Sequence, residues 1–170
     1  MITENNEKLV ITLLEEYRLT FDLYTEAIQT IPENQWTTGE NQYLTPARLI
    51  LHATEAADYY TIDTPTGHIW KKHFAMEPDS GEIPTEDLPS KQKMLEYHKE
   101  VWDKIQNWLK DQTLETIMKP EEKYPWTGTT LLGRIIYLLA HHRQHFGELN
   151  AELRRRDLPR IKWRTLRSYQ

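Results

Sequence analysis

Leu131-Leu-Gly-Arg-Ile-Ile-Tyr-Leu-Leu-Ala-His-His-Arg-Gln-His-Phe-Gly-Glu-Leu-Asn-Ala-Glu-Leu153 reads as one long amphipathic helix. Its apolar centre passes through Leu131, Ile135, Leu139, His142, Phe146, Leu149 and Leu153, a recurrence every three or four residues. The helix opens near Thr127 to Thr130, runs to about Arg156, and Asp157-Leu-Pro159 stops it. Three further segments share this periodicity. The first runs from about Asn5 to Thr30 through Val10, Leu13, Leu14, Tyr17, Phe21, Tyr24, Ile28 and Ile31, and Pro32 ends it. The second starts at Thr45-Pro46, a capping residue followed by proline at the first helical position, and carries Ala47, Ile50, Leu51, Ala53, Ala57 and Tyr60 toward Asp63. The third starts at Ser90 with Met94, Tyr97, Val101, Ile105, Trp108 and Leu109.

Between the second and third segments, Thr64 to Ser90 holds Pro65, Pro78, Pro84 and Pro89 with two glycines, which no unbroken helix tolerates. Only a short piece near Tyr124 competes as a strand. The expected fold is all-α: a four-helix bundle with a long crossover between helices 2 and 3, in a single domain over residues 1–170. No repeat or low-complexity tract interrupts it.

Composition narrows the function classes. A formal charge of −5 argues against a generally basic nucleic-acid binder. The absence of cysteine removes disulfides and thiolate metal ligands. The polar start Met1-Ile-Thr-Glu-Asn-Asn-Glu-Lys does not read as a signal peptide, and no apolar run reaches the ~18–20 residues of a membrane span, so the expected location is cytoplasmic and away from membranes. Six tryptophans and nine tyrosines supply bulky packing groups whose polar tips need partners.

Seven histidines carry most of the chemistry. His98, beside Lys99 and Glu100, reads as solvated, and His68 and His73 as surface or loop residues. His52 on its own reads as a hydrogen-bonded core histidine between Leu51 and Ala53. His141 and His145, one turn apart, fall on one helix face and can share a divalent ion. His142 lies mid-stripe, so His142 with His145 is a rival pair by periodicity. The residue after His141 is histidine rather than glutamate, which removes the zinc-peptidase reading of a His-x-x-x-His pair.

The whole arrangement resembles the DinB superfamily, the DinB/YfiT-like metalloenzymes. The likeness covers most of the chain: one histidine in the first half of helix 2, a long crossover, and His141-His-Arg-Gln-His145-Phe146-Gly147-Glu148 against the family's usual His-x-x-x-His-Arg-Gly-Gln. Phe146 and Glu148 depart from that pattern, while Leu158-Pro-Arg-Ile161-Lys-Trp163 is similar to the family's ending. The resemblance implies nickel or zinc held by His52, His141 and His145, and a homodimer. It also implies an enzyme acting on a small-molecule substrate, either a transferase using a low-molecular-weight thiol or a hydrolase. The reacting group would be a thiolate or water at the ion, with no side chain assigned as catalytic.

Three imidazoles leave a divalent ion with open positions, the composition of catalytic sites, although they suit iron or copper as well. Glu55 and Glu148 are candidates to orient the imidazoles, and Glu55 reads equally as a surface charge. Tyr59, Tyr137 and Trp126 are expected as core aromatics or as the mouth of the bundle. Gly147 suggests a close helix approach, or simply a weakened helix. Seven basic residues from Arg154 to Gln170 complement the helix C-terminus and leave room for a phosphate-bearing ligand or acidic partner. The alternative to an enzyme is a non-catalytic metal-binding module or a structural, stress-response bundle.

Overall fold

The structure, a computed structural model, describes residues 2–62, Thr66 and 83–165. Four long helices dominate: α1 (Ile2–Thr30), α3 (Pro46–Tyr60), α4 (Lys91–Lys110) and α6 (Leu131–Arg155). Two single-turn helices, α2 (Glu33–Trp36) and α5 (Leu114–Ile117), add to the expected four. The apolar repeats do not show these short turns because local bonds make them. In α5, Thr113 accepts from the Thr116 amide at 3.2 Å while the Thr116 hydroxyl accepts from the Thr113 amide at 2.7 Å. In α2, the buried Trp36 donates its indole N–H to the Pro89 carbonyl at 2.7 Å, fastening the α1–α3 link to the start of α4.

Each long helix packs on two others: α1 on α4 and α6, and α3 on the same two. The core between them holds Tyr17, Phe21, Tyr24, Ile50, Ala57, Met94, Ile105, Ile135 and Leu149. Burying such side chains contributes about 1.5–3 kcal/mol each. Two phenols cross from α1 to α6: Tyr17 donates to the Ile135 carbonyl at 2.6 Å and Tyr24 to the His142 carbonyl at 2.7 Å. These bonds satisfy hydroxyls that would otherwise be buried at a cost.

The expected helix starts meet mixed outcomes. Ser90 accepts from the Lys93 amide and Thr130 from the Gly133 amide, each at 3.4 Å. Thr45 stands at the N-cap of α3 but makes no capping bond, so Pro46 is the local start signal there. The piece near Tyr124 forms no strand. Pro125 lacks an amide donor and opens a 3-10 turn, Pro125–Thr127, leaving an isolated antiparallel bridge between Pro120 and Thr130.

Among the described residues nothing lies within 4 Å of a Cβ added at Gly147, so no described helix approaches it. The close approach lies at Gly133, where an added Cβ would stand 3.1 Å from both the Gly128 Cα and the Thr127 carbonyl oxygen. Gly128 itself has φ +139°, a conformation side-chain-bearing residues rarely adopt.

Three basic residues of the C-terminal stretch are used internally. Arg155 reaches Glu152 and Glu40, Arg156 reaches Gln35 and the Thr38 carbonyl, and Arg164 pairs with Glu26. Asn150 grips both backbone groups of Ile161 at 3.0 and 3.2 Å, laying the tail back along α6. Among the described residues no helix is long and apolar enough to cross a membrane. His68 and His73 lie outside the described residues.

Candidate metal centre

The seam between α3 and α6 brings three histidines together. His52 comes from α3, and His141 and His145 stand one turn apart on α6. Each offers a ring nitrogen, and the three atoms lie within 4.8 Å of one another. The ring centroids are separated by 5.2 Å (His52–His141), 4.7 Å (His52–His145) and 4.4 Å (His141–His145). The His141 and His145 Nε2 atoms face each other at 3.1 Å. Nitrogens ~2.0–2.1 Å from one ion are roughly 2.9–3.4 Å apart in tetrahedral or octahedral shells, so this pair already has ligand spacing.

Glu148 fixes one tautomer. Its Oε2 lies 2.6 Å from His145 Nδ1, and because a carboxylate only accepts, Nδ1 carries the proton. His145 then presents its Nε2 to the cluster. His141 Nδ1 is buried and finds no partner among the described residues, while its Nε2 faces the cluster. The donor set fits a divalent ion.

Electrostatics favours the neutral form of His52 and His141. Burial, followed by the neighbouring His145 and His52, lowers the His141 pKa to about 4. His52 is lowered by the protein packed around it and by His145, with Glu148 opposing. Neutral imidazole is the metal-binding form. Burial alone would raise Glu148, but hydrogen bonds to His145 and Gln144 outweigh it and hold the carboxylate ionised.

Several residues occupy places other than those expected. His52 is exposed, not a core histidine, because it faces the open side of an otherwise buried α3. His142 is buried mid-stripe, as its spacing indicates, and points away from the cluster, its Nε2 donating to the Ala53 carbonyl at 2.6 Å. Burial lowers its pKa to about 3, and it packs edge-on to Phe21 and Tyr24. His98 is buried rather than solvated: its Nε2 lies 3.1 Å from the Phe21 carbonyl and its Nδ1 3.1 Å from the Thr54 hydroxyl. Glu55 is buried, not a surface charge, and helps to raise the Tyr97 pKa, chiefly a burial effect. Trp126 and Tyr137 are exposed rather than core aromatics.

Comparisons of the chain with family models, curated proteins and solved structures give no match.

Proposed function

We propose that this chain is a DinB-type four-helix metalloenzyme that holds nickel or zinc with His52, His141 and His145. Its reaction, in this reading, is transfer of a low-molecular-weight thiol to an electrophilic small molecule. The observation that carries the proposal is the convergence of three imidazoles, one oriented by Glu148. Among the described residues the cluster contains three ligand groups and no fourth, and His52 opens to solvent, which favours a reactive over a closed site. The chemistry supplied by a bound divalent ion is to lower the pKa of a thiol or water placed there.

The chain's own residues have three tasks. His52, His141 and His145 bind, Glu148 retains the His145 Nδ1 proton, and the crowded seam favours neutral His52 and His141. The sulfur would form a bond to the electrophilic carbon while the leaving group departs. Hydrolysis by the same site differs only in the nucleophile.

Elemental mass spectrometry of untagged protein tests the reading. About one nickel or zinc per chain is expected, lost in His52→Ala, His141→Ala and His145→Ala. Thiol consumption with a panel of alkylating electrophiles should then disappear in the same variants. No metal after reconstitution would overturn it; metal without thiol or water turnover would leave a binding module.

A further inference from the structure

The three histidines stand at one end of a longer run of rings. One turn before His141 on α6, Tyr137 lies nearly parallel to the imidazole, with 21° between planes and 6.3 Å between centroids. Tyr137 meets Tyr60 edge-on at 5.3 Å. The Tyr60 hydroxyl accepts the Trp126 indole N–H at 3.1 Å. Behind them Tyr124 is fully buried, edge-on to Trp126 at 5.7 Å, and its hydroxyl reaches the Tyr59 and Ile62 carbonyls at 2.8 and 3.0 Å.

The Trp126 indole N–H therefore turns inward to Tyr60 while apolar ring surface remains outside. Trp126 stays 56% exposed although tethered, and Tyr137, packed edge-on to Tyr60, stays 36% exposed. Tethering matters because a ring already held in place loses little freedom when a ligand stacks on it. Tyrosine and tryptophan also combine a large apolar face with a polar handle, as at binding surfaces. The ligand chemistry follows from what the wall lacks and what it has filled. Glu148 lies about three turns further along α6 than Tyr137, so these residues offer ring faces and hydroxyls rather than carboxylates to a ligand. The cation–π face of Tyr124 is taken by the Arg134 guanidinium, 4.6 Å from the ring centre.

We propose that Tyr60, Trp126 and Tyr137 form the specificity wall of the histidine centre, selecting ligands with a planar aromatic body about one helical turn from the atom that meets the metal. This rests on the metal-dependent reading above and names the substrate class for that site.

The test uses full-length untagged protein loaded with cobalt(II), whose visible spectrum reports ligands entering the metal's coordination. Three hydroxamates are titrated: acetohydroxamate, 3-phenylpropanohydroxamate and 3-cyclohexylpropanohydroxamate. The phenyl compound should bind roughly threefold to tenfold more tightly than the cyclohexyl one, the range a stacked ring pair supplies. That preference should vanish in Trp126→Ala and persist in Trp126→Phe, which keeps a ring without the indole N–H; circular dichroism confirms that each variant is folded. Equal binding of the phenyl and cyclohexyl compounds by the wild type would overturn the wall, as would a preference surviving Trp126→Ala and Tyr137→Leu together. If cobalt is not taken up, or acetohydroxamate leaves the spectrum unchanged, the metal-dependent reading itself fails and the wall with it.

Discussion

His142 donates its Nε2 proton to the Ala53 carbonyl at 2.6 Å, one residue beyond His52. This bond ties α6 to α3 beside the place where His52 must meet His141 and His145. The middle histidine of the cluster thus fastens the two helices that carry the ligands, and Tyr24 adds a tie from α1 to the His142 carbonyl at 2.7 Å.

Separate consequences follow for His142 and its neighbours. His142→Ala should destabilise the fold by about 2–4 kcal/mol through a cavity and a lost buried hydrogen bond, yet retain the ion at saturating metal. His145→Ala should lose the ion. Urea titration combined with metal analysis separates the two, and His142→Gln guards against outright unfolding. A His142→Gln protein that folds but cannot load metal would make His142 a ligand.

Glu148 acts on the metal through His145 at 2.6 Å, so its removal should weaken affinity rather than abolish binding. Glu148→Ala is expected to raise the Kd about 10–100-fold, as for other groups that orient a ligand histidine. Glu148→Gln keeps an oxygen acceptor and should lose less. Competition with a chromogenic chelator measures both; unchanged affinity in Glu148→Ala would remove its orienting role.

The legibility of these residues depended on what each periodicity could encode. The long helices and the His141–His145 pair follow from spacing within one element. The wheel also placed His142 mid-stripe, where it is indeed buried, but no spacing can name a carbonyl on another helix as its partner. Lys99 and Glu100 point to a solvated His98, but adjacent residues on a helix face different directions. Its spacing from Met94 and Val101 and its burial with them put it on the inner face. His52 is exposed on a helix buried at most of its other positions, which its apolar neighbours Leu51 and Ala53 do not reveal. Tyr60, Trp126 and Tyr137 meet from three separate elements, which leaves no periodic trace.

The glycines give a paired prediction of opposite sign. Gly147 has nothing within 4 Å of an added Cβ, so Gly147→Ala should stabilise α6 by up to ~1 kcal/mol through helix propensity alone. Gly133 would place its Cβ 3.1 Å from the backbone of Thr127 and Gly128, so Gly133→Ala should destabilise despite the same propensity gain. Urea denaturation midpoints at constant slope decide both; a stabilised Gly133→Ala would mean the Thr127–Gly128 turn yields easily.

His98 provides a pH test away from the metal ligands. It is buried against Phe21 and Tyr24, and burial lowers its pKa to about 4, with the Phe21 carbonyl opposing. The unfolded chain, with a histidine pKa near ~6.5, takes up the proton first as pH falls. The neutral ring's contribution is therefore fully present above about pH 6.5 and is lost progressively toward pH 4, at ~1.4 kcal/mol per pH unit and about 3 kcal/mol in all. His142 is also buried and neutral, so the wild type should lose stability faster than one site requires. His98→Gln, which keeps a hydrogen-bonding side chain without a titrating ring, isolates the difference. Unfolding free energies at pH 7.5, 6, 5 and 4.5 should fall less steeply in the variant, by about one proton's slope. Parallel curves for the two proteins would mean that His98 accepts its proton without cost in the folded state.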